Sequence, residues 1–231
     1  MERAQRIVRH FQEELDLLKE RLLHMGGLAE EQVRASIRAL VERDHDLAQQ
    51  VLLNDNPINH LHIDIDERCF KLLALHQPMA ADLRTIVAAV KINTDLERAG
   101  DLAINIAEAA LRYLEYPPVK PLVDIPRMAD IAQGMLRDAL NAFVQGNISL
   151  AQDVLNRDDT LDQLKNQVFR ELLTFIVENP TTTEPSLDLI LISRHLERIG
   201  DHATNIAEDV IFIVSGADVR HHSREPGEGS A

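Results

Sequence analysis

Tryptophan is absent from this chain, cysteine occurs once, at Cys69, and aromatic residues make up 3% of its 231 positions. Strands favour aromatic and β-branched side chains, so this scarcity beside abundant Ala and Leu points to helices. A single cysteine excludes an internal disulfide, and its setting in DERCFKLLAL reads as that of a small buried hydrophobe. No run approaches the ~18 apolar residues of a membrane span. Met1 is followed at once by the charged ERAQRIVRH, which predicts no targeting segment and a cytoplasmic protein. Basic charge is short as well: 24 Lys and Arg stand against 38 Asp and Glu, a formal net charge of −14. That excess repels nucleic acid and anionic lipid. It leaves metal cations or a basic surface as fitting partners, beside plain solubility. Enzyme signatures are also missing. There is no Walker A loop, no Rossmann glycine fingerprint, no His-Glu-x-x-His and no Gly-x-Ser-x-Gly, and nothing assembles a nucleophile with its base, so the chain reads as a non-enzyme.

What is present is a sequence written twice. LERAGDLAINIAE at 96–108 returns as LERIGDHATNIAE at 196–208 with ten of thirteen positions identical. ALVERDHDLAQQVLLNDNPIN at 39–59 aligns with AFVQGNISLAQDVLNRDDTLD at 142–162, offset by 103, with eight identities in 21. DLAQ and SLAQ inside that pair predict matching helix starts, with Asp46 and Ser149 as N-caps and a Gln three residues on.

Helical periodicity dominates. Ile7, Phe11, Leu15, Leu18 and Leu22 lie three and four apart, and the pattern resumes at Leu28, Val33, Ile37, Leu40 and Val41. This predicts one long helix to about Arg43, weakened at Gly26-Gly27. Each copy then runs through an amphipathic helix to a proline junction, at Pro78 and Pro180. The repeated motif falls on a third helix, about 80–115 and 184–215. YPPVKPLV at 116–123 is a stiff linker. Beyond Gly216 the tail lacks apolar periodicity, which predicts a mobile segment, and its paired His221 and His222 read as exposed histidines. The fold class is therefore all-α: a tandem duplication of an antiparallel three-helix bundle, six helices in all, with repeats at 1–116 and 117–216 and a tail at 217–231.

On a helix, residues four apart share a face. Glu97, Asp101, Asn105 and Glu108 form a polar stripe, Leu96, Ala103, Ile106 and Ala110 an apolar one, and Glu197, Asp201, Asn205 and Glu208 repeat the polar stripe against Leu196, Ala203, Ile206 and Val210. Acids at i and i+4 repel, so something must compensate. One solution is a solvated ion-pair network with Arg98 and Arg198. The other is a metal bridged by carboxylates, to which a second helix adds oxygen ligands. Asp158 and Asp162 are such candidates in the second copy. Their counterparts in the first are Asp55 and Asn59, where a carboxamide offers only a neutral oxygen and Pro57 threatens a kink. Acidic i, i+4 pairs are common on helix faces, so spacing alone puts the metal below the structural solution.

Gly100 and Gly200, costly within a helix, allow either close helix approach or ligand access. Glu42 with His45 makes one Glu-x-x-His pair where di-iron bundles need two. His195 and His202 beside the Glu197 stripe, and His62 with Asp66, read as surface histidines that are able to assist a metal.

The doubled Glu-Arg-x-Gly-Asp with NIAE following, IDERCFKLLALHQPMAADLR before the first copy and RDDTLD in the second resemble the PhoU family, the phosphate-specific transport system accessory or regulatory proteins. The resemblance spans about residues 5 to 215. It implies an elongated pair of three-helix bundles, often a homodimer, that acts as a negative regulator of phosphate uptake and of the phosphate-starvation response. The implied partners are a PstB-like ATPase subunit of the phosphate ABC importer and a PhoR-like sensor histidine kinase, reached from the inner face of the membrane. Multinuclear iron or zinc clusters bound through Glu/Asp-x-x-x-Asp motifs are implied too. Carried over by position, the motifs are Glu97 with Asp101, Glu197 with Asp201, and Asp158 with Asp162, while Asp55 keeps one position and Asn59 departs from the other. This makes the second copy the first place to look for metal. A metal-binding bundle with a storage or redox role is the alternative reading.

Overall fold

The computed structural model describes residues 2–54 and 56–216, the side chains of residues 2–8 excepted. The side chain of Ile7 in the apolar stripe, Asp55, and residues 217–231 with His221 and His222 lie outside the described residues. The first repeat comprises helices α1 (Glu2–Glu42), α2 (His45–Leu53), α3 (Asn56–His76) and α4 (Ala80–Leu114). The second comprises α5 (Asp124–Gln145), α6 (Ile148–Glu178) and α7 (Thr183–Ser215), with a 3₁₀ turn at Pro180–Thr182 before α7. Among the described residues there is no strand. These are six helical rods in two antiparallel bundles, the second rod of the first repeat being divided into α2 and α3. Pro57 stands at the second position of α3, where a missing N–H costs nothing, but it cannot continue a helix from upstream. The second repeat has Thr160 at the aligned place, and α6 runs through unbroken.

The helix starts differ from the sequence expectation. Asp44, not Asp46, caps α2 by accepting the Leu47 N–H at 2.9 Å. Asn147, not Ser149, caps α6 by accepting the Leu150 N–H at 3.1 Å. The two caps keep the 103-residue offset, because each is the first residue with extended backbone after the preceding helix, which is where a side-chain acceptor reaches the third N–H onward. Just upstream, the left-handed position is filled by Gly146 (φ 63°) in the second repeat and by Arg43 (φ 56°) in the first.

Helix α1 continues straight through Gly26-Gly27. At Gly26 an added Cβ would meet Leu140 Cδ1 at 2.1 Å, so this glycine marks where α5 presses on α1. The apolar stripes of the two motif helices are interior: Leu96, Ala103, Ile106 and Ala110 on α4 and Leu196, Ala203, Ile206 and Val210 on α7 are all buried. They join one continuous core with Leu22, Met25, Leu136 and Leu161. Each large aliphatic in such a core contributes about 1.5–3 kcal/mol by leaving water.

The two motif helices form the centre of the molecule, α4 packing antiparallel on α7. Polar pairs tie this seam. Lys91 Nζ meets Asp209 Oδ1 at 3.0 Å, Arg112 Nε meets Asp188 Oδ1 at 2.9 Å, and His202 Nδ1 meets Asp95 Oδ1 at 2.8 Å. The linker is anchored at both ends: Arg43 donates to the Leu114 and Tyr116 carbonyls at 2.7 Å each, and Lys120 pairs with Glu171.

Candidate functional site

The repeated glycine is the structural origin of the site. At Gly200 an added Cβ would stand 2.4 Å from Leu161 Cδ2, 3.6 Å from Met135 Cε and 3.8 Å from Asp158 Oδ1. At Gly100 it would stand 2.8 Å from Ile58 Cδ1 and 3.5 Å from Gln32 Oε1. Under the repeat alignment Ile58 corresponds to Leu161 and Gln32 to Met135, so the two glycines serve one purpose: they let the second rod of each repeat close on the third. Close helix approach is therefore the reading that holds for both glycines. In each repeat the acidic residues flank this contact.

In the second repeat the approach brings the α6 acids to the α7 acids. Asp158 sits with Asp201, Asp162, Asp159 and Glu197 within electrostatic reach, and burial together with those like charges pushes its carboxyl up to about 6. Asp201 is raised by burial, Glu197 and Asp162, against the opposing pull of His202 and Lys165. One cation answers them. Lys165 Nζ donates to Asp162 Oδ1 at 2.8 Å and to Glu197 Oε1 at 2.5 Å, joining α6 to α7. Burial is the largest influence on Lys165 and lowers it, yet the hydrogen bonds and charges of the two carboxylates hold its ammonium above the usual lysine range.

The expected network with Arg198 does not form: Asp162 and Glu197 pair with Lys165, and among the described residues Arg98 and Arg198 make no ion pair. A guanidinium next to the acid in sequence points about 100° around the helix from it, whereas Lys165, one turn beyond Asp162, shares its face. Lys165 is the residue that sequence reasoning passed over, although its i, i+3 spacing from Asp162 was a usable signal.

The four carboxylates of the second groove are not equally free. The Lys165 ammonium stands between Asp162 and Glu197, and among the described residues no three His, Cys, Asp or Glu side chains are gathered as one ion needs them. In the first repeat Glu97 and Asp101 are one turn apart on α4, and both are engaged in contacts, as is Asn59 on α3. Beside them Gln32 gives its amide N–H to the Asn54 carbonyl at 2.8 Å, leaving a buried Oε1 with no hydrogen-bond partner.

The other histidine candidates go elsewhere. His202 is buried rather than superficial; it bonds Asp95 of the other repeat, where Asn205 also donates at 3.3 Å. His195 is half-buried with an unpartnered Nδ1, its basicity lowered by burial and by the charges of Arg198, Arg194 and Arg112. His45 approaches Glu115 at 3.9 Å, not Glu42, and His62 approaches Asp66 at 4.0 Å. Cys69 is buried, and burial with the Asp66 charge pushes its thiol up to about 12, an inert group.

Two antiparallel three-helix bundles joined along a seam of paired motif helices, each with an acidic Glu-x-x-x-Asp face over a glycine contact, define a class of duplicated helical protein. Comparison gives it a family. The PhoU domain matches residues 22–110 and again 125–210. The chain is 43% identical over 213 residues to the "Phosphate-specific transport system accessory protein PhoU homolog" of Caulobacter vibrioides (strain NA1000 / CB15N), covering 92% of this chain and 93% of that protein. It is 42% identical over 216 residues to the protein of the same name from Aquifex aeolicus (strain VF5), covering 93% and 98%. The crystal structure of PhoU from Pseudomonas aeruginosa matches with a TM-score of 0.86 at 41% identity, over 90% of this chain and 100% of that one. The chain belongs to the PhoU family. Among the described residues no helix is long and apolar enough to cross a membrane.

Proposed function

We propose that the chain is a non-catalytic accessory regulator of phosphate uptake. It acts in the cytoplasm and at the inner face of the membrane through its partners, holding down both importer activity and the phosphate-starvation response when phosphate is plentiful. The partners in this reading are the ATPase subunit of a phosphate ABC importer and a sensor histidine kinase, and the working form is a homodimer of two-repeat chains, with repeats at 1–116 and 117–216. The observation that carries it is the relationship over nearly the whole chain to proteins named for accessory work in phosphate-specific transport.

The fold supports an adaptor. Both repeats leave large apolar side chains exposed on their second and third rods, Phe70 and Val87 in the first and Phe169, Leu173 and Leu187 in the second. Two such surfaces on one rigid seam suit simultaneous contact with two proteins. Deleting the gene in phosphate-rich medium is expected to switch on a phosphate-starvation reporter. Affinity capture at high and low phosphate is expected to recover the importer ATPase and the kinase in a phosphate-dependent ratio. A reporter that stays off in the deletion strain sinks the reading.

A second reading, a metal-binding bundle of storage or redox role, has one observation in its favour: carboxylates outnumber ammonium in the second groove, which leaves Asp158 surrounded by like charge. Its ligands are Asp158, Asp162, Glu197 and Asp201, with Glu97, Asp101 and Asp55 in the first repeat. Elemental analysis after purification with iron, zinc or manganese tests it, and metal-free protein refutes it.

A further inference from the structure

We infer that the second-repeat groove carries its own cation, the Lys165 ammonium, and that a divalent cation enters this groove only by displacing that side chain. The ammonium reaches Asp162 Oδ1 at 2.8 Å and Glu197 Oε1 at 2.5 Å, one carboxylate on α6 and one on α7, both among the residues that would hold an ion here. It is tethered one turn from Asp162, so its effective concentration is high, while a dissolved ion must shed water to compete.

What remains for an ion with Lys165 in place is thin. Asp158 and Asp201 remain within electrostatic reach of each other, but two carboxylates fall short of the roughly four ligands zinc takes and the roughly six to eight of calcium. The ammonium has little incentive to leave. A groove of about 350 Å³ between α6 and α7 gives it room, but Arg194 and Arg198 line that groove. Swinging into it exchanges two carboxylates for two like charges. The first repeat has no such tether: the residue aligned with Lys165 is His62, whose Nε2 lies 4.0 Å from Asp66 Oδ2 on its own helix.

The test uses the full chain in a Glu97→Gln, Asp101→Asn background, which removes the first-repeat carboxylates, with Mn(II) as the probe in equilibrium dialysis and elemental analysis. Lys165→Met in that background is expected to bind Mn(II) about tenfold more tightly than the background protein. Adding Glu197→Gln should abolish the gain, and Lys165→Arg, which keeps the charge, should show none. Equal affinity and stoichiometry with and without Lys165 overturns the inference. So does tight Mn(II) binding by the background protein that is lost on Glu197→Gln. Should Lys165→Met fail to fold, reductive methylation of the unaltered chain, read by peptide mass spectrometry, decides instead. Lys165 is expected to react more slowly than the exposed Lys71 and to speed up at saturating Mn(II); a rate equal to that of Lys71 without metal overturns the inference.

Discussion

At positions 62 and 165, aligned across the duplication, the first repeat has a histidine turned toward Asp66 of its own helix and the second a lysine bridging to the next helix. The surrounding differences follow the same line. The first repeat has Asn59 where the second has Asp162, a helix break before Pro57 where α6 is continuous, and Gln32 under its glycine where the second has Met135. One copy has fewer acids and a buried amide; the other has four acids and a cation that pairs with two of them. Duplication preserved the helix contact, which the glycines enforce, and left the electrostatics free to diverge.

The seam between the repeats shows the divergence in its sharpest form and gives the largest expected effect. Asp95 and His195 are aligned, yet Asp95 accepts from His202 and Asn205 in the buried seam while the Nδ1 of His195 bonds nothing. Asp95→Ala is expected to cost about 2–3 kcal/mol, since it strips a charged acceptor from the buried His202 and from Asn205. His195→Ala is expected to cost no more than about 1 kcal/mol. Urea unfolding measures both, and equal losses would erase the distinction between the two positions.

The glycine contacts come next. Alanine at position 200 must push Leu161 from 2.4 Å, whereas at position 100 it must push the end of Ile58 from 2.8 Å. Overpacking costs roughly 1–3 kcal/mol, against which alanine regains about 1 kcal/mol of helix propensity. The expected net loss is about 1–2 kcal/mol for Gly200→Ala and close to zero for Gly100→Ala, because both contacts are with side-chain ends and the one at position 100 has less far to move. A larger loss at 100 than at 200 would show that the first repeat is the more tightly closed.

Most of the fold was legible because it rests on local pattern: apolar spacing gave the helices, prolines their ends, and self-similarity the duplication. The acid pairs were legible for the same reason, as Glu197 and Asp201 lie on one helix face. What escaped was long-range. The Asp95–His202 bond spans 107 residues and couples unlike positions of the two repeats, so neither periodicity nor self-alignment announces it. The caps at Asp44 and Asn147 escaped because the tempting Asp46 and Ser149 nearby form an equally good pattern, and only backbone geometry chooses between them.

The left-handed residues before those caps supply a finer comparison. Gly146 adopts φ 63° without strain, while Arg43 adopts φ 56° and offsets the cost by holding the Leu114 and Tyr116 carbonyls. Gly146→Ala should lose about 1 kcal/mol to strain alone. Arg43→Gly should lose about the same despite relieving strain, because two charge-assisted hydrogen bonds go with the side chain. If Arg43→Gly were stabilising in thermal unfolding, those anchors would be contributing nothing.

Asp158 provides the smallest effect and one whose sign depends on pH. Its carboxyl is held up at about 6 in the folded chain against an ordinary 3.8, by burial and by Asp201, Asp162, Asp159 and Glu197. The folded state therefore binds this proton more tightly than the unfolded one. Its contribution to stability is full below the ordinary value, declines as pH rises through the folded value, and is gone above it. Asn in its place cannot ionise. Asp158→Asn should match the unaltered chain near pH 4 and exceed it at pH 7.5, by about 1 kcal/mol once solvent screening at this partly exposed site is allowed for. Urea unfolding at the two pH values reads the difference. In a Lys165→Met background the gain at pH 7.5 should grow, since the ammonium that pairs with Asp162 and Glu197 is gone; in the first repeat, which has Asn59 at the place of Asp162, Asn59→Asp should move stability the opposite way. A gain for Asp158→Asn that is the same at both pH values would mean that packing, not charge, separates the two grooves.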